Sequence, residues 1–445
     1  MKISLKLLFL TILIVICTLM FTSCGSEEAE TEETEEKYNG ETITINVFNW
    51  GEYISDGFEG SLDTNAAFEE YYFEKFGKKV KVNYSTYATN EDMYSKLKSG
   101  AGSYDIVIPS DYMIDKMIKE DMLISFDVAK EIENYTNISD DFKYLYYDPN
   151  NSYSVPYTYG MLGIIYNEQL VDEEDVIKES WGLLWNEKYR GKILQFNNPR
   201  DAFGSAMYYA GIDVNSTDKK DWDDALKLLA DQKPLIQAYV NDEIFNKMTT
   251  ASAAIAPYFA GDFITMAADN EDLKFYYPKE GSNLFVDAMC IPKSSKHPDI
   301  AKEYINFMLS DEPAIANAIY IGYASPNKVV VESEEYAEAM EELTQGAMDI
   351  LYGKSPEDVN KVYNDMYGTT CYESFSPEIQ EYVNILWESL KTENSTELWV
   401  HIVTNIIVAA VIGLAVYSVV IEKIRSKDYR LRDKMKKKEK ALKKQ

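Results

Sequence analysis

The sequence predicts an α/β fold built as two lobes, and three observations lead to this prediction. The chain has 445 residues, which is enough for two lobes with separate hydrophobic cores. Hydrophobic residues make up 46% of the chain and aromatic residues 13%, as in folded rather than disordered proteins. From Glu41 onwards, short β-branched or aromatic runs alternate with amphipathic runs of about 10–15 residues. This alternation indicates βαβ units and parallel sheets.

The first part of the body follows this alternation element by element. Pro109 ends the third strand, and Ser110 or Asp111 can then cap a helix. The two earlier helices each end at a glycine, the usual residue after a helix C-terminus. The predicted strands are 42–48, 79–84 and 104–110, and the predicted helices are 65–77, 90–100 and 111–120.

The same alternation resumes in the second part of the body. The predicted strands are 162–167, 192–196 and 235–240, and the predicted helices are 181–191, 201–211 and 221–232. In open α/β sheets, ligands bind in a crevice at the carboxyl ends of the strands. Several side chains that closely follow predicted strands are therefore candidates for a binding site: Trp50, Ser110, Tyr112, Asp201 and Tyr258.

The N-terminus has the pattern of a bacterial lipoprotein signal. A short basic segment, MKISLK, precedes an apolar stretch of 14 residues, which is too short to span a bilayer comfortably. Small residues then precede Cys24, the residue that such a signal leaves acylated. We predict a signal peptide over 1–23, a lipid on Cys24 and an acidic linker over 24–40. A plain anchor helix with an incidental cysteine is the alternative.

The C-terminus has the pattern of a membrane span followed by a cytoplasmic tail. Residues 398–421 carry no formal charge over 24 positions, enough for a helix to cross a hydrocarbon core of about 30 Å. Residues 422–445 contain twelve Lys or Arg and four Asp or Glu, a net charge of +8. By the positive-inside rule, this basic tail lies in the cytoplasm and the acidic body lies outside. A buried helix of the soluble body is the alternative.

Composition and motifs exclude several functional classes. The formal net charge of −30 argues against a nucleic-acid partner, because phosphates would be repelled. The two histidines are His297 and His401, and the sequence has no HExxH, CxxC, GxSxG, P-loop or dinucleotide-binding motif. We therefore expect no metal and no cofactor, and an enzyme is the weaker class.

Two cysteines remain in the body, Cys290 and Cys371. Two are too few for a disulfide framework, and the sequence leaves open whether they pair. Cys290 lies in the apolar run AMCIP, which favours a buried thiol.

Five further segments follow one another along the body: NVFNWGEY, VNYSTYATNEDMYSKLKSGAGSYDIVIPSDY, PYTYGMLGIIYN, FVDAMCIP and IGYASPN. Together they resemble bacterial spermidine/putrescine-binding proteins, the extracytoplasmic substrate-binding proteins of polyamine ABC importers. The resemblance covers roughly residues 41–391. It implies a two-lobed periplasmic-binding-protein-like fold (type II) that closes on a linear polyamine and delivers it to an ABC permease. It also implies a monomer, and the C-terminal transmembrane helix is an addition to the usual fold.

The resemblance implies where the chain passes between the lobes. The first lobe comprises residues 41–157 and 287–330, and the second comprises 158–286 and 331–391. The crossings fall near 155–160 and 285–291.

The resemblance also implies which residues bind the ligand. They are Trp50, Tyr53, Ser110, Asp111, Tyr112, Asn198, Asp201, Tyr258, Phe285, Asp287, Tyr323 and Glu373. Relatives commonly carry a carboxylate where this chain has Asn198, and tryptophan where it has Tyr258 and Phe285. Asp111 and Glu373 are the acidic residues that would compensate for Asn198. The choice between putrescine and spermidine stays open.

Two other functions remain open at this point. The same fold could serve as a receptor or sensor for another small cation, such as a basic amino acid. An extracellular enzyme acting on an amine or a sugar, through a pair of carboxylates, is the third possibility.

Overall fold

The computed structural model describes residues 40–353 and 371–392. The predicted signal peptide, the lipid site at Cys24, nearly all of the acidic linker, the 398–421 span and the basic tail lie outside the described residues. Within the described ranges, no helix is both long enough and apolar enough to cross a bilayer.

The strands form one mixed sheet, which confirms the predicted α/β class. Its strand order is β2-β1-β3-β9-β4-β7-β5-β6, and β8 pairs with β4. The strands are β1 (Ile43–Trp50), β2 (Val80–Tyr87), β3 (Ile106–Val107), β4 (Ser154–Asn167), β5 (Ile193–Phe196), β6 (Ile236–Val240), β7 (Ile255–Phe259), β8 (Leu273–Tyr276) and β9 (Leu284–Cys290). The expected parallel pairs occur at β1/β3, β5/β6 and β5/β7. Antiparallel pairs, which the sequence did not reveal, join β9 to β3 and β4, and β4 to β7 and β8.

The helices alternate with these strands. In the first part of the chain they are α1 (Thr64–Phe76), α2 (Asn90–Lys98), α3 (Asp111–Lys119), α4 (Val128–Glu131) and α5 (Glu173–Val176). In the middle they are α6 (Pro199–Ala210), α7 (Lys219–Gln232), α8 (Glu243–Thr249) and α9 (Ala260–Asp269). Towards the end they are α10 (Pro298–Met308), α11 (Asp311–Ile321), α12 (Lys328–Val331), α13 (Glu334–Leu343), α14 (Ala347–Tyr352) and α15 (Pro377–Thr392).

Strand β4 connects the two parts of the sheet. Its first half, Ser154 to Met161, pairs with β9, and its second half, Leu162 to Asn167, pairs with β7 and β8. Nearly every residue of β4 is buried. The β4/β9 register shifts after Pro156, a residue that has no amide hydrogen to donate to a neighbouring strand. A strand buried on both faces and paired on both edges is a rigid base for the loops around it.

One predicted helix is replaced by shorter turns. Residues 181–191 form two 3₁₀ turns, Trp181–Trp185 and Glu187–Tyr189. Ser180 and Asn186 cap them, and the Asn186 side chain accepts a hydrogen bond from the Lys188 amide. Asparagine competes with helical hydrogen bonding in this way, so the chain turns where the amphipathic pattern predicted a continuous helix.

The chain divides into two compact units. The smaller includes Glu69–Lys81, where Lys81 forms an ion pair with Glu69 at 3.1 Å and the rings of Tyr72 and Phe76 pack 4.6 Å apart. The larger includes Ile45–Phe68 and the chain from Val82 onwards. This unit holds the hydrophobic core, with Trp181 and Trp222 almost fully buried. The lobe boundaries given by the resemblance stay a prediction.

Both body cysteines are free thiols in the structure. Cys290 is fully buried in β9, as its apolar neighbours indicated, and burial holds the pKa of its thiol well above its usual range.

Candidate functional site

A cavity lies within the larger unit, at the ends of strands β1, β3, β5, β6 and β7. Its free space is about 820 Å³, including the part open to solvent, which is in the range of small-molecule sites. Eleven of the twelve predicted ligand-binding residues line it: Trp50, Tyr53, Ser110, Asp111, Tyr112, Asn198, Asp201, Tyr258, Phe285, Asp287 and Tyr323. We call the lining residues between 50 and 112 the first wall, and those between 198 and 262 the second wall.

Glu373 is the exception. It is exposed and is not among the residues lining the cavity, whereas its neighbour Tyr372 is buried and lines it. The backbone of Glu373 is engaged instead, because its amide donates to Asn215 Oδ1 at 2.9 Å. The structure therefore brings Tyr372 rather than Glu373 into the cavity lining, and a role for Glu373 in the site stays a prediction.

Trp50 and Tyr53 are held in place by the strands beside them. Trp50 ends β1, and its Nε1 donates a hydrogen bond to the Ile108 carbonyl at 3.0 Å. Its ring packs 4.7 Å from the ring of Tyr87. Between the two residues, a Cβ on Gly51 would lie 2.3 Å from Asp242 Oδ2. Glycine at position 51 thus lets this loop approach the second wall without displacing the Asp242 carboxylate.

Tyr53 and Asp287 form a buried pair at the base of the cavity. The Tyr53 hydroxyl donates to Asp287 Oδ2 at 2.8 Å and also makes a short hydrogen bond with Thr158. The ring of Tyr53 packs edge-on against Tyr323, with centroids 4.9 Å apart. Burial raises the pKa of Asp287 to about 7. The Asp287 carboxylate is thus fixed in position but only partly ionised in the empty cavity near neutral pH.

The first wall also contains a polar cluster at the starts of α2 and α3. The Asn90 side-chain amide donates to Ser110 Oγ at 3.1 Å and to the Tyr112 hydroxyl at 3.0 Å. The Tyr112 hydroxyl in turn donates to Glu91 Oε1 at 3.1 Å. Burial raises the pKa values of both Glu91 and Asp111. This cluster presents acceptor oxygens to the cavity from a rigid helix start.

On the second wall, Asn198 and Asp201 form the start of α6. The Asn198 side chain caps the helix by accepting from the Asp201 amide at 2.8 Å, and Pro199 occupies the first turn. The Asn198 amide also donates to Asp201 Oδ2 at 2.8 Å. Burial raises the pKa of Asp201 to about 6. Asn198 therefore orients the neighbouring carboxylate rather than adding a charge of its own.

Aromatic rings cover much of the remaining surface. Tyr258 stacks on Phe196 with centroids 5.6 Å apart and planes 20° from parallel. Phe285 packs edge-on against Phe259 at 5.4 Å and lies 6.2 Å from Tyr323. These rings present apolar surface to the cavity and fix one another, because edge-to-face pairs favour one geometry.

The electrostatic character of the cavity is strongly acidic. Seven carboxylates line it: Glu52, Glu91, Asp111, Asp201, Asp242, Asp262 and Asp287. No Lys, Arg or His is among the described residues that line it. Burial raises the pKa of Asp262 to about 8, and the pKa values of Glu52 and Asp242 are also raised by burial and by neighbouring carboxylates.

Two carboxylate oxygens in the cavity are left without partners. Asp111 Oδ2 and Asp287 Oδ1 are buried and accept no hydrogen bond of normal geometry within the described part of the chain. Leaving such atoms unpaired costs about 1–3 kcal/mol each, so a donor from a ligand would be favoured there. In the same described ranges, no three His, Cys, Asp or Glu side chains converge so that they could hold a metal ion. The carboxylates are instead spread around the cavity.

Sequence reasoning missed four of these carboxylates: Glu52, Glu91, Asp242 and Asp262. Asp242 follows β6, and Asp262 stands in the first turn of the helix after β7. The rule that selected Trp50 and Ser110, position just after a strand, would have found both. The sequence signal for Glu91 was weaker, because this residue lies within α2, whose largely polar sequence is typical of a solvent-exposed helix.

Comparison with known proteins identifies the family. A family model described as bacterial extracellular solute-binding protein matches residues 66–344, more than half of the chain. The chain belongs to the bacterial extracellular solute-binding proteins. Members of this family are transport proteins that work outside the cytoplasm, so the enzyme alternative is removed.

Individual solute-binding proteins of this family sharpen the relationship. The spermidine/putrescine-binding periplasmic protein of Escherichia coli is 33% identical over 287 residues, covering 64% of this chain and 78% of that protein. The putrescine/cadaverine-binding protein of Pseudomonas aeruginosa is 28% identical over 291 residues, covering 63% of this chain and 78% of that one. The crystal structure of the spermidine/putrescine ABC transporter substrate-binding protein of Streptococcus pneumoniae is 34% identical. It superposes with a TM-score of 0.60, covering 79% of this chain and 99% of that one.

The resemblance to spermidine/putrescine-binding proteins is thus confirmed, and so is a periplasmic-binding-protein-like α/β fold.

Proposed function

We propose that this solute-binding protein captures a linear polyamine, spermidine or putrescine, in the cavity and delivers it to an ABC permease. One observation carries the proposal: seven carboxylates spread around an aromatic cavity whose described lining contains no cationic side chain. With no cationic side chain among the described lining residues, the most favourable occupant is an elongated molecule with several positive charges.

The chemistry of a polyamine matches both components of the lining. Its ammonium groups make charge-assisted hydrogen bonds with carboxylates, which offset the cost of removing water from the charges. Its methylene groups pack on aromatic faces, and each cation–π contact adds about 0.5–2 kcal/mol. A compact divalent cation would be served poorly, because the carboxylates do not converge on one point in the described part of the chain.

We assign roles to the lining residues on this basis. Asp287, fixed by Tyr53, binds one ammonium group, and Asp111 on the first wall is a further acceptor for it. Asp201, oriented by Asn198, binds an ammonium from the second wall. Trp50, Tyr258 and Phe285 cover the methylene chain. Ser110, Tyr112 and Tyr323 complete the cavity wall and hold the acidic residues in place.

The names of the relatives support this ligand class. The Escherichia coli relative is a spermidine/putrescine-binding protein and the Pseudomonas aeruginosa relative a putrescine/cadaverine-binding protein. All three ligands are linear amines. The choice among them is a matter for measurement.

We further propose that the protein is a monomer tethered to the membrane, with its lobes outside the cytoplasm. The tether consists of a lipid on Cys24 and a transmembrane helix over 398–421, both inferred from the sequence. The two lobes, divided near 157 and 287, close on the ligand by a hinge motion and present it to the permease.

Calorimetric titration tests the ligand class directly. The full chain, purified in detergent, is unfolded and refolded to remove carried-over ligand and is then titrated with spermidine, putrescine and arginine. We expect saturable binding of at least one polyamine and none of arginine, because arginine brings a carboxylate that the cavity lining cannot pair. Flat traces with both polyamines, from protein shown to be folded, would overturn the proposal. Binding of arginine alone would establish the receptor for a basic amino acid instead.

A further inference from the structure

A short irregular segment, residues 371–375, runs along the edge of the cavity just before α15. We call it the strap. Tyr372 in the strap is 2% exposed, and it lines the cavity although no pattern in the sequence selects it. Its ring lies 6.2 Å from that of Tyr112 on the first wall. The strap therefore contributes a buried aromatic ring to the site, although it is distant from both walls in the sequence.

Asn215, in the loop between α6 and α7, holds the backbone of the strap through its side chain. The Asn215 side-chain amide donates to the Cys371 carbonyl at 2.9 Å, and Asn215 Oδ1 accepts from the Glu373 amide at 2.9 Å. Arg200 Nη2 donates to the same Asn215 oxygen at 2.7 Å and to the Glu373 carbonyl at 3.3 Å. These contacts hold the backbone on both sides of Tyr372.

Arg200 itself is an unusual cation. It is 5% exposed, and its Nε and Nη1 have no hydrogen-bond partner among the described residues. Its guanidinium carbon lies 3.7 Å from the ring centroid of Phe375 and 4.3 Å from that of Tyr372. Burying a guanidinium in this way is costly unless the aromatic faces and carbonyls around it compensate. Those partners are supplied mainly by the strap, so the position of Arg200 and that of the strap depend on each other.

The strap is fastened to the opposite side of the cavity as well. The Tyr146 hydroxyl donates to the Tyr372 carbonyl, and Ser374 Oγ donates to Asp115 of α3. Lys119 Nζ, also on α3, donates to Ser374 Oγ at 3.0 Å. The five-residue strap thus bonds both to α3, whose first residues belong to the first wall, and to Arg200 of α6, the helix whose Asp201 belongs to the second wall. Separating the walls would have to break one of the two sets of bonds.

We propose that the strap slows ligand release, with Tyr372 as a ligand-contacting residue and Arg200 as the positioning residue that holds it there. This inference rests on the proposed polyamine binding. A ligand enclosed by the walls leaves when they separate, and the strap bonds add to the barrier for that step. The strap bonds contribute little when the ligand first meets the open cavity. Their loss should therefore change the dissociation rate and leave the association rate nearly unchanged.

The test uses mild substitutions in the full chain. Tyr146→Phe removes the hydrogen bond to the Tyr372 carbonyl, and Ser374→Ala removes the bonds to Asp115 and Lys119. Neither change touches the buried Arg200. Tyr144→Phe, at an exposed tyrosine two residues away, is the matched control. Stopped-flow tryptophan fluorescence with spermidine or putrescine, whichever binds wild type, gives both rate constants, and thermal unfolding checks the fold.

We expect the dissociation rate to rise about three- to tenfold in Tyr146→Phe and Ser374→Ala, the effect of one or two lost hydrogen bonds. The association rate is expected to stay within about twofold, and Tyr144→Phe to match wild type. If both variants bind polyamine with the dissociation rate of wild type, the inference about the strap is overturned. Binding by wild type would in that case still support the proposed function. Absence of polyamine binding in wild type is the separate failure of the proposed function. Arg200→Lys keeps the positive charge but loses the planar guanidinium group, so this variant is also expected to raise the dissociation rate.

Discussion

Asp287 is the residue at which three parts of the chain meet. It stands in β9 opposite Thr158 of β4, and its carboxylate accepts a hydrogen bond from the hydroxyl of Tyr53, in the loop after β1. The same Tyr53 hydroxyl is hydrogen-bonded to Thr158. Its second oxygen has no hydrogen-bond partner within the described residues. We therefore expect Asp287 to contribute more binding free energy than any single aromatic ring.

Asp287→Asn is predicted to weaken polyamine binding strongly. The amide keeps the shape and can still bond to Tyr53, but it loses the charge that pairs with an ammonium group. The expected cost is about 2 kcal/mol, which is about thirtyfold in the dissociation constant. Titration calorimetry measures it. Asp299→Asn, at a highly exposed aspartate, is the control and should bind like wild type. Equal weakening in both variants would contradict the assignment.

The raised pKa values predict that binding depends on pH. The pKa values of Asp201, Asp287 and Asp262 are about 6, 7 and 8, and a bound polyamine requires their ionised forms. Affinity should therefore increase as the pH rises from 5.5 to 8.5, while amines with pKa values near 10 stay charged. At pH 6, a carboxyl group with a pKa of about 7 is about nine-tenths protonated, so its titration alone lowers affinity about tenfold. Titrations in buffers of different ionisation enthalpy should also detect proton release on binding. Constant affinity across this range would contradict the ionised-carboxylate description.

Sequence could predict part of the site for a physical reason. Trp50 ends β1 and Tyr112 lies in the first turn of the helix after β3, and side chains near the carboxyl ends of strands in an open α/β sheet face the crevice. The sequence pointed to Glu373, whereas Tyr372 lines the cavity, because an irregular segment has no periodicity to show which of its side chains is buried. Arg200 carried no signal, because a buried cation can be recognised only from the partners that surround it.

At the level of elements, helix α6 approaches the strap very closely. A Cβ on Gly204 would lie 2.1 Å from the Tyr372 hydroxyl oxygen. Only glycine at position 204 leaves room for Tyr372 to reach its place in the cavity wall.

Gly204→Ala is accordingly predicted to impair binding more than folding. Alanine favours a helix by about 1 kcal/mol over glycine, which offsets part of the strain on the fold. The displaced Tyr372 should nevertheless weaken polyamine binding about tenfold, as overpacking typically costs about 1–3 kcal/mol. The double variant with Tyr372→Phe removes the clashing oxygen. Adding Gly204→Ala to Tyr372→Phe should then cost much less affinity, and an equal cost in both backgrounds would exclude the clash as the cause.

The elements that the sequence predicted well are those with strong periodicity or clear end signals. The helices α2, α3 and α7 begin or end within a few residues of the prediction, since capping residues and glycines mark their ends. The antiparallel pairing of β4 and β9 was not predicted from local pattern, because residues that pair across more than a hundred positions of sequence leave no local trace. The resemblance placed the crossing strands near 155–160 and 285–291, where β4 and β9 lie.

At the scale of the whole molecule, binding and tethering should be separable. Helix α15 ends at Thr392, and each of the described residues that line the cavity precedes this helix. Deleting residues 393–445 is predicted to leave the dissociation constant within about twofold of the full chain while removing the proposed C-terminal anchor. Calorimetry and membrane fractionation measure the two effects. Loss of binding in a folded truncation would show that the C-terminal region takes part in the site.

The acidic cavity should also govern how the stability of the empty protein depends on pH. Folding raises the pKa values of Asp201, Asp262 and Asp287 above that of an unfolded aspartate, so the folded state holds more protons. Their contribution to the free energy of unfolding is complete below about pH 4 and is lost as the pH rises through about 6–8. Urea unfolding between pH 5 and 8.5 should show this decrease in empty protein, and saturating polyamine should remove or reverse it. The same urea series in Asp287→Asn measures the pH dependence that remains without this carboxylate. If the free energy of unfolding of the empty wild type rises with pH relative to that series, this account is contradicted.

The cavity wall joins Trp50, near the start of the folded body, to Tyr372, near its end. No fragment that stops short of the strap holds the complete site, so a ligand distinguishes the finished fold from every partly folded chain. A ligand at a hundred times its dissociation constant raises the free energy of unfolding by about 2.7 kcal/mol. Cleavage by a protease that attacks transiently opened chains slows by the same factor, about a hundredfold. The supply of substrate outside the cell would thus set the lifetime of its receptor, and receptors left empty would be the first to be degraded.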